Sequence, residues 1–62
     1  MVEKIYFFDN RTENLDERLE ELAVAIPCFI DREFIEMDWS KVTIQAREED
    51  LATVERFLAD LI

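Results

Sequence analysis

The sequence has no glycine and no histidine, and it holds one cysteine and one proline among 62 residues. Each scarcity excludes chemistry. Without glycine there is no Walker loop, no G-x-G-x-x-G turn, no G-x-S-x-G nucleophile elbow and no EF-hand calcium loop. Without histidine the chain lacks the side chain whose proton moves most readily near neutral pH, and with it the commonest ligand of zinc and non-haem iron. Catalysis would rest on carboxylates or on Cys28 alone. One cysteine closes no intramolecular disulfide, which is unlike a secreted disulfide scaffold and fits a reducing cytoplasm. Basic charge is also scarce, with 7 Lys plus Arg against 16 Asp plus Glu, so 7 − 16 = −9. Such a surface repels nucleic-acid phosphates and anionic lipid headgroups, which binders neutralise with clustered Lys and Arg. No stretch approaches the roughly 18 apolar residues of a membrane span. The opening Met1-Val2-Glu3-Lys4 has no basic segment followed by an apolar one, as a secretory leader would. The expectation is a cytoplasmic, unprocessed chain with no cofactor, no metal, and no direct contact with nucleic acid or membrane.

What is present is hydrophobic content, 50% of the residues. The chain is expected to form one small domain over residues 1–62. A domain this short buries only about 60% of the surface that its unfolded chain exposes. Below roughly 70 to 80 residues a core is marginal unless a disulfide, a metal or a partner supports it. The first two supports being absent, oligomerisation or docking on another protein is the expected third.

Lys4-Ile5-Tyr6-Phe7-Phe8 is β-branched and aromatic and is closed by the turn-forming Asp9-Asn10, which predicts a strand. Ile5 and Phe7 lie on one face and Tyr6 and Phe8 on the other, so both faces are apolar. Asn14 is placed to cap a helix, and Glu17 three residues later completes a capping box. Leu15, Leu19, Leu22, Ala23 and Ile26 then form one helical stripe, which Pro27 ends, predicting a helix from about Leu15 to Ala25. Cys28-Phe29-Ile30 restarts an extended run. It continues less cleanly to Met37, where Ile30, Phe34 and Met37 also fit a helical i, i+4, i+7 spacing. Strand is the favoured reading of 31–37 over helix, with a bulge or irregularity near Arg32, because Asp38-Trp39-Ser40-Lys41 looks like a turn and a strand follows it. Val42, Ile44 and Ala46 alternate with Thr43, Gln45 and Arg47, the clearest period-two pattern in the chain. Glu48-Glu49-Asp50 opens a last helix, their charges suited to its positive end. Its stripe is Leu51, Val54, Leu58 and Leu61, widened by Phe57 and Ile62, with Glu55, Arg56 and Asp60 away from it.

The order β-α-β-β-α predicts an α+β fold of two layers, a three-stranded mixed sheet with both helices on one face. In element order alone this resembles the ferredoxin-like fold without its last strand. The resemblance implies that the third strand lies between the other two, and that the first strand keeps a free edge. That edge, made of Ile5, Tyr6, Phe7 and Phe8, is apolar and guarded only by Lys4. It is therefore expected to pair with a second copy or with another protein. The open sheet face is expected to carry Tyr6 and Phe8 beside Thr43 and Gln45, with Trp39 near the rim.

Other chemistry-bearing residues have plainer roles. No Lys, Arg or His lies within three residues of Cys28, so it reads as a small buried hydrophobe rather than a reactive thiol. Asp9, with Glu13 nearby, offers two oxygen ligands where calcium needs six to eight, and Asp9-Asn10 reads as a turn. Glu20-Glu21 and Glu48-Glu49-Asp50 are neighbours on helix exteriors, so they do not face each other as an acid and base pair must. Asp16, Glu17, Glu20 and Glu21 together form an acidic face on the first helix, suited to solvent or to a basic partner. The function expected is a non-catalytic protein-interaction module, a small regulatory or assembly factor acting as a homodimer or docked on a partner. The alternative is an acidic mimic of nucleic acid, of the kind small phage proteins provide, that inhibits a nucleic-acid-binding protein.

Overall fold

A computed structural model describes residues 1–59 and 61. Its elements, in chain order, are β1 (Val2–Asp9), α1 (Leu15–Ala25), β2 (Cys28–Phe34), β3 (Trp39–Ala46), a single 3-10 turn over Glu48–Asp50, and α2 (Leu51–Ala59). The described residues thus form an α+β fold with one three-stranded sheet and two α-helices. Asp60 and Ile62, assigned above to the last helix, lie outside the described residues.

The strand order is β1-β3-β2, and both neighbouring pairs are antiparallel. The expected mixed sheet is therefore wrong. β1 and β2 do run parallel to each other, but β3 is inserted between them, so no parallel pair forms. Register sets the faces. Val2, Lys4, Tyr6 and Phe8 of β1 pair with Ala46, Ile44, Val42 and Ser40, while Ile5 and Phe7 pair with Thr43 and Lys41. Val42, Ile44 and Ala46 are fully buried with Leu22, Val54 and Leu58 of the two helices, so both helices cover that same side. Phe8 joins this core at 4% exposure. Tyr6 packs at its margin, its ring stacked on that of Phe8 with centroids 6.3 Å apart. Burial pushes the Tyr6 hydroxyl above its ordinary pKa, and the Glu55 carboxylate of α2 adds to the shift. Tyr6 and Phe8 are thus inward-facing, opposite to the expectation that placed them beside Thr43 and Gln45.

Helix α1 ends as its sequence requires. Ile26, ahead of Pro27, is extended at φ −138° and ψ 156°. Its start differs from the capping box. Asn14 adopts φ 62°, a left-handed conformation that asparagine tolerates better than most residues, and its side chain caps nothing. The first helical bond runs instead from the Arg18 N–H to the Asn14 carbonyl, at 2.8 Å.

Two further corrections concern the hairpin. β2 pairs without interruption from Cys28 to Phe34, so no bulge occurs at Arg32, and β3 begins at Trp39 rather than Val42. The reason is a tertiary hydrogen-bond network around Ser40, the one polar side chain buried outright among the described residues. Arg32 Nε donates to Ser40 Oγ at 3.3 Å, and Ser40 Oγ donates to Asn10 Oδ1. Asn10 in turn donates from Nδ2 to the Met37 carbonyl at 3.0 Å and from its backbone N–H to Asp38 at 2.7 Å. Arg32 completes the chain with an ion pair to Asp16 of α1. These bonds hold residues 35–38 as the turn and draw Ser40 into the sheet.

Candidate interaction surface

The second side of the sheet has no helix over it among the described residues. β1 contributes Glu3, Ile5 and Phe7; β3 contributes Trp39, Lys41, Thr43 and Gln45; β2 contributes Phe29, Asp31 and Glu33. Four large apolar side chains on it are exposed: Ile5 at 47%, Phe7 at 57%, Phe29 at 66% and Trp39 at 43%. Beside Trp39, Ile35 donates its N–H to the Trp39 carbonyl at 3.2 Å and is itself exposed, as is Met37 at the tip of the turn. The apolar band therefore runs across the sheet and onto the hairpin end. Glu3, Asp31 and Glu33 interrupt it, and Lys41 is the cation in its middle. A shallow depression of about 320 Å³ lies among Phe29, Asp31, Glu33, Lys41, Thr43 and Gln45.

Both outer strands, β1 and β2, keep an edge unpaired among the described residues. They differ in character. β2 carries the consecutive charges Asp31-Arg32-Glu33 at its centre, the kind of edge that discourages strand addition, whereas the charges of β1, Glu3, Lys4 and Asp9, lie toward its ends and leave Ile5-Tyr6-Phe7-Phe8 uncharged between them.

The acidic face of α1 is partly neutralised within the chain. Asp16 pairs with Arg32, and Glu21 with Arg18 at 3.5 Å, leaving Glu17 and Glu20 as exposed carboxylates with Val24 beside them at 88% exposure. Asp9 is a turn residue. Its Oδ1 accepts from the Arg11 backbone N–H at 2.8 Å, and the Arg11 guanidinium closes an ion pair at 2.9 Å. These bonds, the side-chain ones first, hold the Asp9 carboxyl down at a pKa of about 2. Glu13 is exposed and does not join it. Burial, and secondarily the Asp50 carboxylate, pushes the Cys28 thiol above its ordinary pKa, the opposite of what a nucleophilic thiolate needs. Its Sγ lies 3.9 Å from the Leu22 carbonyl oxygen at the end of α1. Among the described residues no group of three or more His, Cys, Asp or Glu side chains converges, and no helix is long and apolar enough to cross a membrane.

No family model, curated protein or solved structure matches the chain. Functional reading therefore rests on the residues themselves. Of the residues expected at an interface, Ile5, Phe7 and Trp39 come together on the uncovered side, while Tyr6 and Phe8 reach it only through the backbone of β1. Asp16, Glu17, Glu20 and Glu21 lie on a separate surface. Phe29, Ile35 and Met37 were not foreseen there. Phe29 is legible: it shares a strand face with the charged Asp31 and Glu33, opposite Cys28, Ile30 and Arg32, and a hairpin with β3 puts it against Gln45.

Proposed function

We propose that the protein is a non-catalytic interaction module, a small cytoplasmic regulatory or assembly factor that works as a homodimer or docked on a partner protein. The observation that carries this reading is the uncovered side of the sheet, where Ile5, Phe7, Phe29 and Trp39 are exposed on three adjacent strands. Contiguous apolar surface rimmed by polar groups marks interaction sites, and aromatic residues are enriched in their centres. The small size of the domain favours the same reading, since a partner on this side adds burial beyond the two layers that the chain itself supplies. We read the element order as ferredoxin-like without its last strand; in that layout a fourth strand pairs with the outer edge of β1. The acidic-mimic reading has less support, because two of the four acidic groups on α1 are paired with arginines of the same chain.

The test uses the immobilised chain and whatever protein it retains from an extract of its own cells. Phe29→Ser and Trp39→Ser are expected to abolish retention, while Glu17→Gln with Glu20→Gln leaves it intact, and retention is expected to change little between low and high salt. Retention that survives both aromatic substitutions, yet is lost with the glutamates and falls steeply with salt, would overturn the reading in favour of the mimic.

A further inference from the structure

The uncovered face leaves open what sits against the free edge of β1. We propose that it is a second copy of the chain, paired antiparallel through β1 in one register, with Ile5 opposite Ile5 of the second copy, so that two three-stranded sheets join into one of six strands. The proposal rests on the interaction reading and narrows it to one edge and one occupant. Three observations lead to it.

First, the two free edges are unequal: β2 has Asp31-Arg32-Glu33 at its centre, with Arg32 ion-paired to Asp16, whereas β1 keeps its charges, Glu3, Lys4 and Asp9, toward its ends and has the uncharged Ile5-Tyr6-Phe7-Phe8 between them. Second, the eight residues of β1, Val-Glu-Lys-Ile-Tyr-Phe-Phe-Asp, are charge-compatible with themselves in this alignment. Residues opposite each other on neighbouring strands share a sheet face, so only alternate registers are allowed. Sliding one step one way sets Lys4 against Lys4. One step the other way sets Glu3 against Asp9, twice by symmetry. Like charges directly opposite are destabilising. The register centred on Ile5 has neither clash and pairs every residue from Val2 to Phe8. Third, it sets no like charges opposite each other on either face. On the outer face Ile5 meets Ile5, flanked on either side by Glu3 opposite the exposed Phe7. On the inner face the exposed Lys4 meets the half-buried Tyr6 ring, and Val2 meets Phe8. A two-fold axis through Ile5 also keeps both helical layers on one side and both aromatic faces on the other, as an isologous contact requires. The joined outer face then carries Ile5, Phe7, Phe29 and Trp39 of both copies, with Glu3, Asp31, Glu33 and Lys41 set among them.

The test is cysteine cross-linking in the full chain with Cys28→Ser removing the native thiol. Under mild oxidation Ile5→Cys is expected to give mainly covalent dimer. Lys4→Cys and Tyr6→Cys are expected to give several-fold less, because their symmetry mates lie on diagonals, roughly 7 to 8 Å apart, at or beyond disulfide reach. Sedimentation of the unmodified chain is expected to show a dimer. Ile5→Lys, which faces two ammonium groups across the axis, is expected to weaken it about tenfold or more while leaving the circular dichroism unchanged. A chain that stays monomeric at high micromolar concentration overturns the second-copy assignment, and stronger cross-linking through Lys4→Cys or Tyr6→Cys overturns the register. Neither result touches the partner-docking test, which uses Phe29 on the far strand.

Discussion

Phe7 and Phe8 are adjacent in sequence and opposite in role, which makes their substitution to alanine the sharpest check on the sheet's two sides. Phe8 is 4% exposed in the core. Truncating a buried phenylalanine costs about 3 to 5 kcal/mol, transfer and cavity terms together. Phe7 is 57% exposed, so roughly two-fifths of it is covered, and full burial of such a side chain contributes about 1.5 to 3 kcal/mol. Its removal should cost about 1 kcal/mol. A chain of 62 residues has roughly 3 to 9 kcal/mol of stability in all, at about 0.05 to 0.15 kcal/mol per residue. Phe8→Ala therefore removes a large part of the total, and Phe7→Ala only a small one. The assay is urea unfolding followed by circular dichroism and Trp39 fluorescence. All variants are held at one protein concentration, because self-association contributes to apparent stability. With a slope near 1 kcal/mol per molar urea, Phe7→Ala moves the midpoint by about 1 M, and Phe8→Ala loses its folded baseline. Equal shifts for the two variants, or a larger one for Phe7→Ala, would refute the assignment of faces.

Three further outcomes follow from the polar contacts. Ser40→Ala leaves Asn10 and Arg32 each short of a partner and should cost about 2 kcal/mol, an unmet buried polar group costing about 1 to 3 kcal/mol; a neutral result in the same urea assay would dismiss the network as a support of the hairpin. Asp9 should titrate near pH 2 by carbon-detected NMR, and Arg11→Ala should return it toward its ordinary 3.8. Because its folded pKa is depressed, the stabilisation it brings is present above pH 3.8 and is lost as the pH falls toward 2. Cys28 should react with a disulfide reagent several-fold more slowly in the folded chain than in urea, since burial disfavours its thiolate; equal rates would contradict the packing at the end of α1.

Much of the fold can be read from local pattern, and the failures share one cause. The stripe of Leu15, Leu19, Leu22 and Ile26 and the alternation of Val42, Ile44 and Ala46 each repeat at a period only one element satisfies, so α1 and the body of β3 are plain from sequence. β1 is apolar on both faces, and nothing within it says whether Ile5 and Phe7 or Tyr6 and Phe8 turn inward. That is decided by pairing Tyr6 with Val42 and Phe8 with Ser40, more than thirty residues away. The start of β3 was hidden for the same reason. Trp39-Ser40 reads locally as turn, yet Ser40 is held by Asn10 and Arg32 from two other segments. The capping box failed at Asn14, where the left-handed backbone leaves its side chain off the helix. The interaction surface was half legible. Ile5, Phe7 and Trp39 were placed at an interface by their apolar character, whereas Phe29, Ile35 and Met37 came with the hairpin register.

Phe29 and Val24 are both well exposed, at 66% and 88%, one on the uncovered sheet and the other on α1. Exposure alone therefore predicts that both meet other proteins. A photo-reactive amino acid incorporated at each position in turn, in the cells that make the protein, separates the two surfaces directly. The interaction-module reading predicts a discrete cross-linked adduct from position 29 and none from position 24. Adducts from position 24 alone would contradict it.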